Sequence, residues 1–392
     1  MITYFEVREE LNLENELIGK DIKWFPTVTI IVPCFNEEFT VNNTIRSLLN
    51  LDYPQDKLSI VVVDDGSTDG TREQIMQFKD YSQISVLVKE NGGKHTALNL
   101  ALEKIETDLV GCLDADSFVN ADALKRIVLF FDDASIMAVT SSIKVHDAKS
   151  ILQHAQKIEY SLSIFLRSML SFLNAIFVTP GPFSIFRTRV FRELGGYRHA
   201  HHTEDLEIAL RLQKNHYKIV NSHGAHVYTS TPLRLKALFN QRVRWTYGLL
   251  NNAMDYKELF FNRKYGHIGL FILPIIISSI FFTLYIAGRT LWNNFSSIFD
   301  AWVKFQTVGF TWNSPSFDFD WFFINTGVIP FLTLSVVVLT LVIMYLAIKL
   351  AEGKFRFSRG IFYYLTIYIF IVPLWLTKAV FSTIFRRQIS WK

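Results

Sequence analysis

The sequence holds only two cysteines in 392 residues. That excludes a disulfide scaffold, which needs several paired, closely spaced cysteines. Ten prolines and eighteen glycines exclude collagen-like and low-complexity chains. Charge is scarce as well. Asp, Glu, Lys and Arg make up 19% of the chain, below the ~25% of an average globular protein. Half of the residues are hydrophobic and 15% are aromatic, with 35 Phe, so intrinsic disorder is excluded too. Residues 1–25 are acidic and lack an apolar run, so no secretory signal peptide is expected. Cys34 and Cys112 each fall in an apolar strand pattern and are expected to be buried thiols.

The net charge of +4 is unevenly spread. The first 265 residues carry 30 basic and 32 acidic side chains, whereas residues 266–392 carry 10 and 4. The basic excess belongs to a tail that is otherwise poor in charge, so nucleic acid is not expected as a partner. Segments 266–288, 321–348 and 360–377 contain no charged residue. A membrane helix needs about 20 mainly apolar residues. Three transmembrane helices are therefore expected, over about 266–288, 321–348 and 360–385. Link 349–359 holds four basic residues against one Glu. The positive-inside rule makes it cytoplasmic. The N-terminal domain then lies inside, and the Trp- and Phe-rich loop 289–320 and the C-terminus lie outside. Arg386, Arg387 and Lys392 oppose that rule. The expectation is a multi-pass protein of the cell membrane, with the lipid bilayer as partner.

Upstream, β-branched runs alternate with amphipathic segments. Strands are expected at 27–32, 58–63, 84–88, 109–113 and 137–141. Helices are expected at 38–50, 71–79, 94–105 and 121–131. Nearly all-apolar strands alternating with helices indicate an α/β fold with a mostly parallel sheet covered on both faces. Amphipathic helices at the bilayer face are expected within 150–178 and 235–252. The expected division is an extension at 1–25, an α/β domain at 26–232, an interface region at 233–265 and a membrane region at 266–392.

In such sheets, ligands bind beyond the carboxyl ends of the strands, and the polar clusters fall there. Pro33, Phe35, Glu37 and Glu38 follow the first strand. Asp64, Asp65, Gly66 and Ser67 follow the second, a pattern that a turn and a helix cap also produce. Asn91, Gly92, Gly93 and Lys94 open a helix, where glycine permits close backbone approach and Lys94 can meet a phosphate. Asp114 and Asp116 follow the fourth strand. A period of two puts both side chains on one side, where they can hold one hard cation together with phosphate oxygens. Thr203, Glu204 and Asp205 precede an amphipathic helix, and Thr203 or Asp205 could equally be its N-cap. Gln241, Arg244 and Trp245 share one helix face by their i, i+3, i+4 spacing. An amide, a guanidinium and an indole on one face suit a diphosphate and a sugar ring. His199, His201 and His202 lack the partners of a metal site, so a mobile loop near the acceptor is expected.

The order of these stations, VVVDDGS, DAD, TED and QRVRW, resembles the membrane-integrated, processive branch of family-2 glycosyltransferases. That branch includes the poly-N-acetylglucosamine, hyaluronan, chitin and cellulose synthases and the nodulation chitooligosaccharide synthase. The segments IVPCFNEE, NGGKHTALN and TPGPFSIFR fit the same resemblance. It implies a cytoplasmic GT-A domain that takes a UDP-sugar donor. By the resemblance, Pro33, Phe35 and Glu37 border the uracil and ribose. Asp64, Asp65, Lys94 and Asp114 contact the nucleotide. Asp114 and Asp116 hold Mg²⁺ or Mn²⁺. Asp205 is the general base, beside Thr203 and Glu204. Gln241 and Arg244 steady the diphosphate, and Trp245 stacks under the acceptor sugar.

A single base with no second carboxylate placed as nucleophile implies direct displacement with inversion. The implied reaction adds a sugar of N-acetylglucosamine type to a β-linked polysaccharide or oligosaccharide acceptor. Three spans are few for a polymer channel, which implies partner membrane subunits or a homo-oligomer, a short product, or a truncated version. The competing readings are a single-sugar transferase acting on a lipid or polyprenyl phosphate, and a non-catalytic nucleotide-sugar sensor or scaffold.

Overall fold

The computed structural model describes Tyr4, residues 25–309 and residues 328–387. Most of the N-terminal extension, Trp312, Trp321, the start of the second expected span and Lys392 lie outside the described residues. The first half alternates as the apolar pattern dictates: β1 (Val28–Cys34), α1 (Val41–Leu49), β2 (Leu58–Asp64), α2 (Thr71–Met76), β3 (Ile84–Val88), α3 (Lys94–Leu102) and β4 (Leu109–Cys112). A short β5 (Ser117–Val119), α4 (Ala123–Val128) and β6 (Ile136–Val145) follow. Next come α5 (Ile151–Phe172), β7 (Ser184–Arg187), α6 (Arg189–Leu194), α7 (Glu204–Lys214), β8 (Lys218–Thr229) and α8 (Leu235–Asp255).

The eight strands form one sheet in the order β3-β2-β1-β4-β7-β6-β8-β5. Strands β1 to β4 run parallel, as do β6 and β8. Only β7 and β5 reverse, each pairing antiparallel with its neighbours. Alternation along β1 sends Ile30 and Val32 into one core and Ile31 into the other. The first core lies under α1 and α4, and the second under α3 and α7. A sheet buried on both faces explains why its strands read as unbroken apolar runs. Cys34 and Cys112 are buried free thiols within it.

Three further helices follow: α9 (Leu273–Val308), α10 (Val328–Glu352) and α11 (Arg359–Ile384). All three are long and apolar enough to cross a membrane. The expected boundary at Gly288 is corrected, since α9 runs 20 residues further into the segment read as a loop. Charged residues mark the end of a hydrocarbon-compatible run, but Arg289 and Asn293 do not break a helix. Trp292, Phe295 and Trp302 are therefore exposed on a helix.

The three helices meet the α/β half differently. In α9 the buried and packed residues, Leu273 to Leu284, lie at its start. In α10 they lie at its end, from Ile343 onward. By contrast, α11 packs along its whole length. Gly360 abuts the His154 carbonyl of α5, and Tyr368 bonds Glu159 of α5. Ile371, Trp375 and Ala379 share a core with Leu238, Val243 and Leu250 of α8. Near its end, Thr383 accepts a hydrogen bond from Asn251 of α8.

Candidate active site

The polar stations converge beyond the ends of β1, β2 and β4, and at the start of the reversed β7. Lys94 is their centre. Gly93 has a φ of +89°, a conformation favoured by glycine, and it turns the chain into α3 so that Lys94 begins the helix. The Lys94 Nζ lies 2.6 Å from Asp114 Oδ1 and 3.0 Å from Glu204 Oε1. Burial disfavours the Lys94 charge, but these carboxylates win and hold its pKa well above the usual lysine value. Burial likewise raises Glu204, and Lys94 more than offsets this, so Glu204 ends below the usual carboxylate range.

Asp205 behaves oppositely. Burial first, then the neighbouring Glu204 charge, push it up to about 7. Its backbone is fixed independently of the carboxylate, because the Thr179 amide and hydroxyl both donate to its carbonyl, at 3.1 and 2.9 Å. The Arg244 guanidinium lies in the field of Glu204, Asp205 and Asp114; burial lowers its pKa and these carboxylates act the other way. Asp116 is also pushed up to about 7, by burial and by Asp114, while accepting a bond from the Ser117 hydroxyl at 2.9 Å. Gly181 closes this cluster from the β7 side. A Cβ there would come within 2.6 Å of Lys94 Nζ and 2.8 Å of Asp114 Oδ2.

The structure thus brings Lys94, Asp114, Glu204, Asp205 and Arg244 together. Pro33, Phe35 and Glu37 border the loop after β1. Phe35 is 39% exposed, while Glu37 accepts a bond from the Thr40 hydroxyl at 2.5 Å. The acidic pair after β2 is engaged within the protein. Asp64 is fully buried, with one oxygen on Arg72 Nε at 2.9 Å and the other on the Ser67 amide at 2.9 Å. It closes the turn and has no surface left for a nucleotide. Asp65 accepts bonds from Lys89 Nζ (2.6 Å) and from the Gly92 and Gly93 amides (3.1 and 2.9 Å). It shapes the loop that leads to Lys94.

Helix α8 delivers the last station. Gln241 and Arg244 are partly buried, and Trp245 is 39% exposed. This helix docks on the turn before α7 at a point that sequence reasoning missed. A Cβ on Gly248 would lie 2.2 Å from Thr203 Oγ1. Asn252 Nδ2 donates to Thr203 Oγ1 (2.9 Å) and to the Ala200 carbonyl (3.1 Å). The Thr203 hydroxyl therefore serves α8 and makes no cap bond to α7. The signal was present: a glycine inside a helix costs about 1 kcal/mol and marks a close approach. Lys89, Gly181 and Arg242 were missed too, because each depends on a partner far away in the chain.

The loop 199–202 bends through three consecutive left-handed residues, Ala200, His201 and His202. His199 packs edge-on against His95 and His202, with ring centroids 5.3 and 5.0 Å away. Among the described residues, no group of three or more His, Cys, Asp or Glu is placed to hold a metal ion.

The profile of the glycosyltransferase-like family 2 matches residues 26–248, which include every station above. The chain belongs to that family. Poly-beta-1,6-N-acetyl-D-glucosamine synthase of Staphylococcus aureus is 31% identical over 271 residues, which is 68% of this chain. The match spans 64% of that relative's length. The synthase of the same name from Staphylococcus epidermidis is 31% identical over 252 residues, 63% of this chain and 60% of its own. A mannosyltransferase of Pyrobaculum calidifontis, solved with GDP-Man and Mn²⁺, superposes with a TM-score of 0.58 at 18% identity. That likeness covers 98% of this chain and 96% of the other, and concerns the fold. The chain thus carries its family-2 half ahead of the three apolar helices.

Proposed function

We propose that this family-2 protein transfers N-acetylglucosamine from UDP-GlcNAc, with inversion, to the end of a growing β-linked polysaccharide at a membrane. The observation that carries this reading is one cluster in which Lys94 and Arg244 face three carboxylates, with the exposed Trp245 on the same helix as Arg244. The polymer synthases to which the chain is similar supply the sugar and the acceptor.

In this reading Pro33, Phe35 and Glu37, with the loop held by Asp65, border the uridine. Asp114 and Asp116 fit a hard divalent cation. They are partly buried carboxylates, and the hydrogen bond that Asp116 accepts comes from an uncharged group, the Ser117 hydroxyl. Such a cation is commonly bound by one or two carboxylates and completed by substrate phosphates. Bound there, Mg²⁺ or Mn²⁺ would help neutralise charge on the departing UDP. Lys94 and Arg244 add fixed positive charge on the same side. Gln241 supports the diphosphate, and Trp245 stacks on the acceptor sugar. Asp205, poised near neutrality, takes the proton from the acceptor hydroxyl. Glu204 is held ionised by Lys94 and its charge raises the pKa of Asp205, whose carboxylate accepts a bond from the Leu206 amide at 2.9 Å.

The test is UDP release by the purified full chain with UDP-GlcNAc, UDP-Glc, UDP-GlcA and UDP-Gal in turn. UDP-GlcNAc is expected to be the best donor. Excess EDTA is expected to abolish release, and added Mg²⁺ or Mn²⁺ to restore it. Sizing the radiolabelled product should give chains of many sugars. Single-sugar lipid products alone would overturn the reading.

The packing of α11 supports a membrane arrangement different from the one expected. We propose that α9 and α10 cross the bilayer as a hairpin and that α11 lies along its cytoplasmic face, over α5 and α8. The C-terminus then stays on the side of the catalytic domain. Arg386 and Arg387 no longer oppose the positive-inside rule. A cysteine appended after Lys392, in a Cys34→Ala/Cys112→Ala background, is expected to resist a membrane-impermeant maleimide in intact cells and to react after permeabilisation. Labelling in intact cells would show that α11 crosses.

A further inference from the structure

Between Gln241 and Arg244 sits Arg242, to which the family resemblance assigns no role. Its side chain is almost fully buried, with 5% of its surface exposed. The guanidinium carbon stands 4.2 Å from the centroid of the Trp245 ring. Nη1 donates to Gln241 Oε1 at 2.8 Å. Nε and Nη2 grip Glu159 of α5 in a two-pronged pair, at 3.0 and 2.5 Å. The same Glu159 accepts the Tyr368 hydroxyl of α11 at 2.5 Å. One planar group therefore touches both Gln241 and Trp245 of α8 and ties them to two other helices.

The chemistry is specific to arginine. Its fork matches a carboxylate at two points while its flat face stacks on an indole. Lysine is a point charge and cannot do both. A cation over an indole contributes most where water is excluded, as it is here. With one face covered by Arg242, the indole is held in place, and its exposed surface stays open to a ring-shaped ligand.

We infer that Glu159, Arg242 and Tyr368 form a positioning set that holds Trp245 for the acceptor and couples that platform to the seat of α11. The inference rests on the proposed reading that Trp245 is the acceptor platform. These are positioning residues, because none of them touches the reacting atoms.

The experiment uses the full chain in lipid nanodiscs with UDP-GlcNAc, with and without a β-1,6-linked N-acetylglucosamine tetramer. UDP release is measured for Trp245→Ala, Arg242→Lys, Glu159→Gln and Tyr368→Phe. Losing a charge-assisted, partly buried contact shifts an equilibrium by about tenfold. Arg242→Lys and Glu159→Gln are expected to raise the half-saturating tetramer concentration about tenfold. Tyr368→Phe removes one hydroxyl and is expected to raise it about threefold. For Glu159→Gln and Tyr368→Phe, half-saturation by donor and acceptor-free UDP release should stay within about twofold of the parent, which a merely structural role would not preserve.

If Trp245→Ala weakens tetramer dependence while Arg242→Lys and Glu159→Gln leave it unchanged, this inference is overturned and the platform reading stands. If Trp245→Ala itself leaves it unchanged, both fall. Equal loss of donor and acceptor parameters in all three variants would reduce the set to a structural one and overturn the inference. Tyr368→Phe guards against misfolding, since it keeps the ring and its packing against Trp375.

Discussion

Asp205→Asn is expected to lower acceptor-dependent UDP release by about 10²- to 10⁴-fold, the range for removing a general base. UDP affinity should change little. The substitution keeps the shape of the side chain, and the backbone anchors from Thr179 do not depend on the carboxylate. What is lost is a proton acceptor of suitable strength. Glu204 and Asp205 are neighbours in sequence, yet the fold drives them apart: Lys94 holds Glu204 ionised, while burial and the Glu204 charge lift Asp205 to about 7. Such a split is how two carboxylates acquire two roles.

The pH dependence follows with a definite sign. A base must be deprotonated to act, and this one has a raised pKa. Activity should be full above about pH 7 and fall about tenfold per unit below it, measured as kcat/KM at saturating Mg²⁺ so that Asp116 is not limiting. An acidic limb near pH 4.5, or an Asn variant within a few-fold of the parent, would remove Asp205 from this role.

The second large effect is expected at a residue with no side chain. Gly248→Ala should reduce UDP release by about 10²-fold, the cost of moving reacting groups by about 1 Å. It should also lower stability by about 1–3 kcal/mol, as overpacking does. The new methyl group would fall 2.2 Å from Thr203 Oγ1 and 2.4 Å from its Cγ2. Thr203 begins the turn that presents Glu204 and Asp205, so α8 would be pushed off the catalytic carboxylates. Arg244, carried on the same helix, would move with it. Thr203→Ala in the same chain removes both nearest atoms and should recover part of the loss. Purely additive damage in the double variant would show that the contact is not the cause. Thermal unfolding measured alongside UDP release separates loss of fold from loss of alignment.

Much of the core was legible because its signals are local. β3 was read to the residue, and β1, β2 and β4 to within two residues at either end. The stations at the strand ends were legible for a related reason: strand ends in a parallel sheet all face one way. Two kinds of feature were not. Helix ends in the membrane region were misplaced because charge was taken as a stop, as at Arg289 in α9. Partners were invisible where they lie far apart in the chain. Asp64 looked like half of a nucleotide-binding pair until Arg72 and the Ser67 amide were seen to occupy it. Lys94 looked like a free phosphate ligand until Asp114 and Glu204 were seen on either side.

The sequence by itself determined the alternating α/β half, the apolar tail and the identity and order of the chemical groups, because periodicity, propensity and charge-free length are properties of neighbouring residues. Only the tertiary structure decided which carboxylate is paired and which is lifted toward neutrality, how closely α8 seats on Thr203, and that α11 lies along α5 and α8. Those outcomes depend on burial and on contacts between segments up to about 200 residues apart, such as Glu159 and Tyr368. No local pattern encodes a distance of that kind.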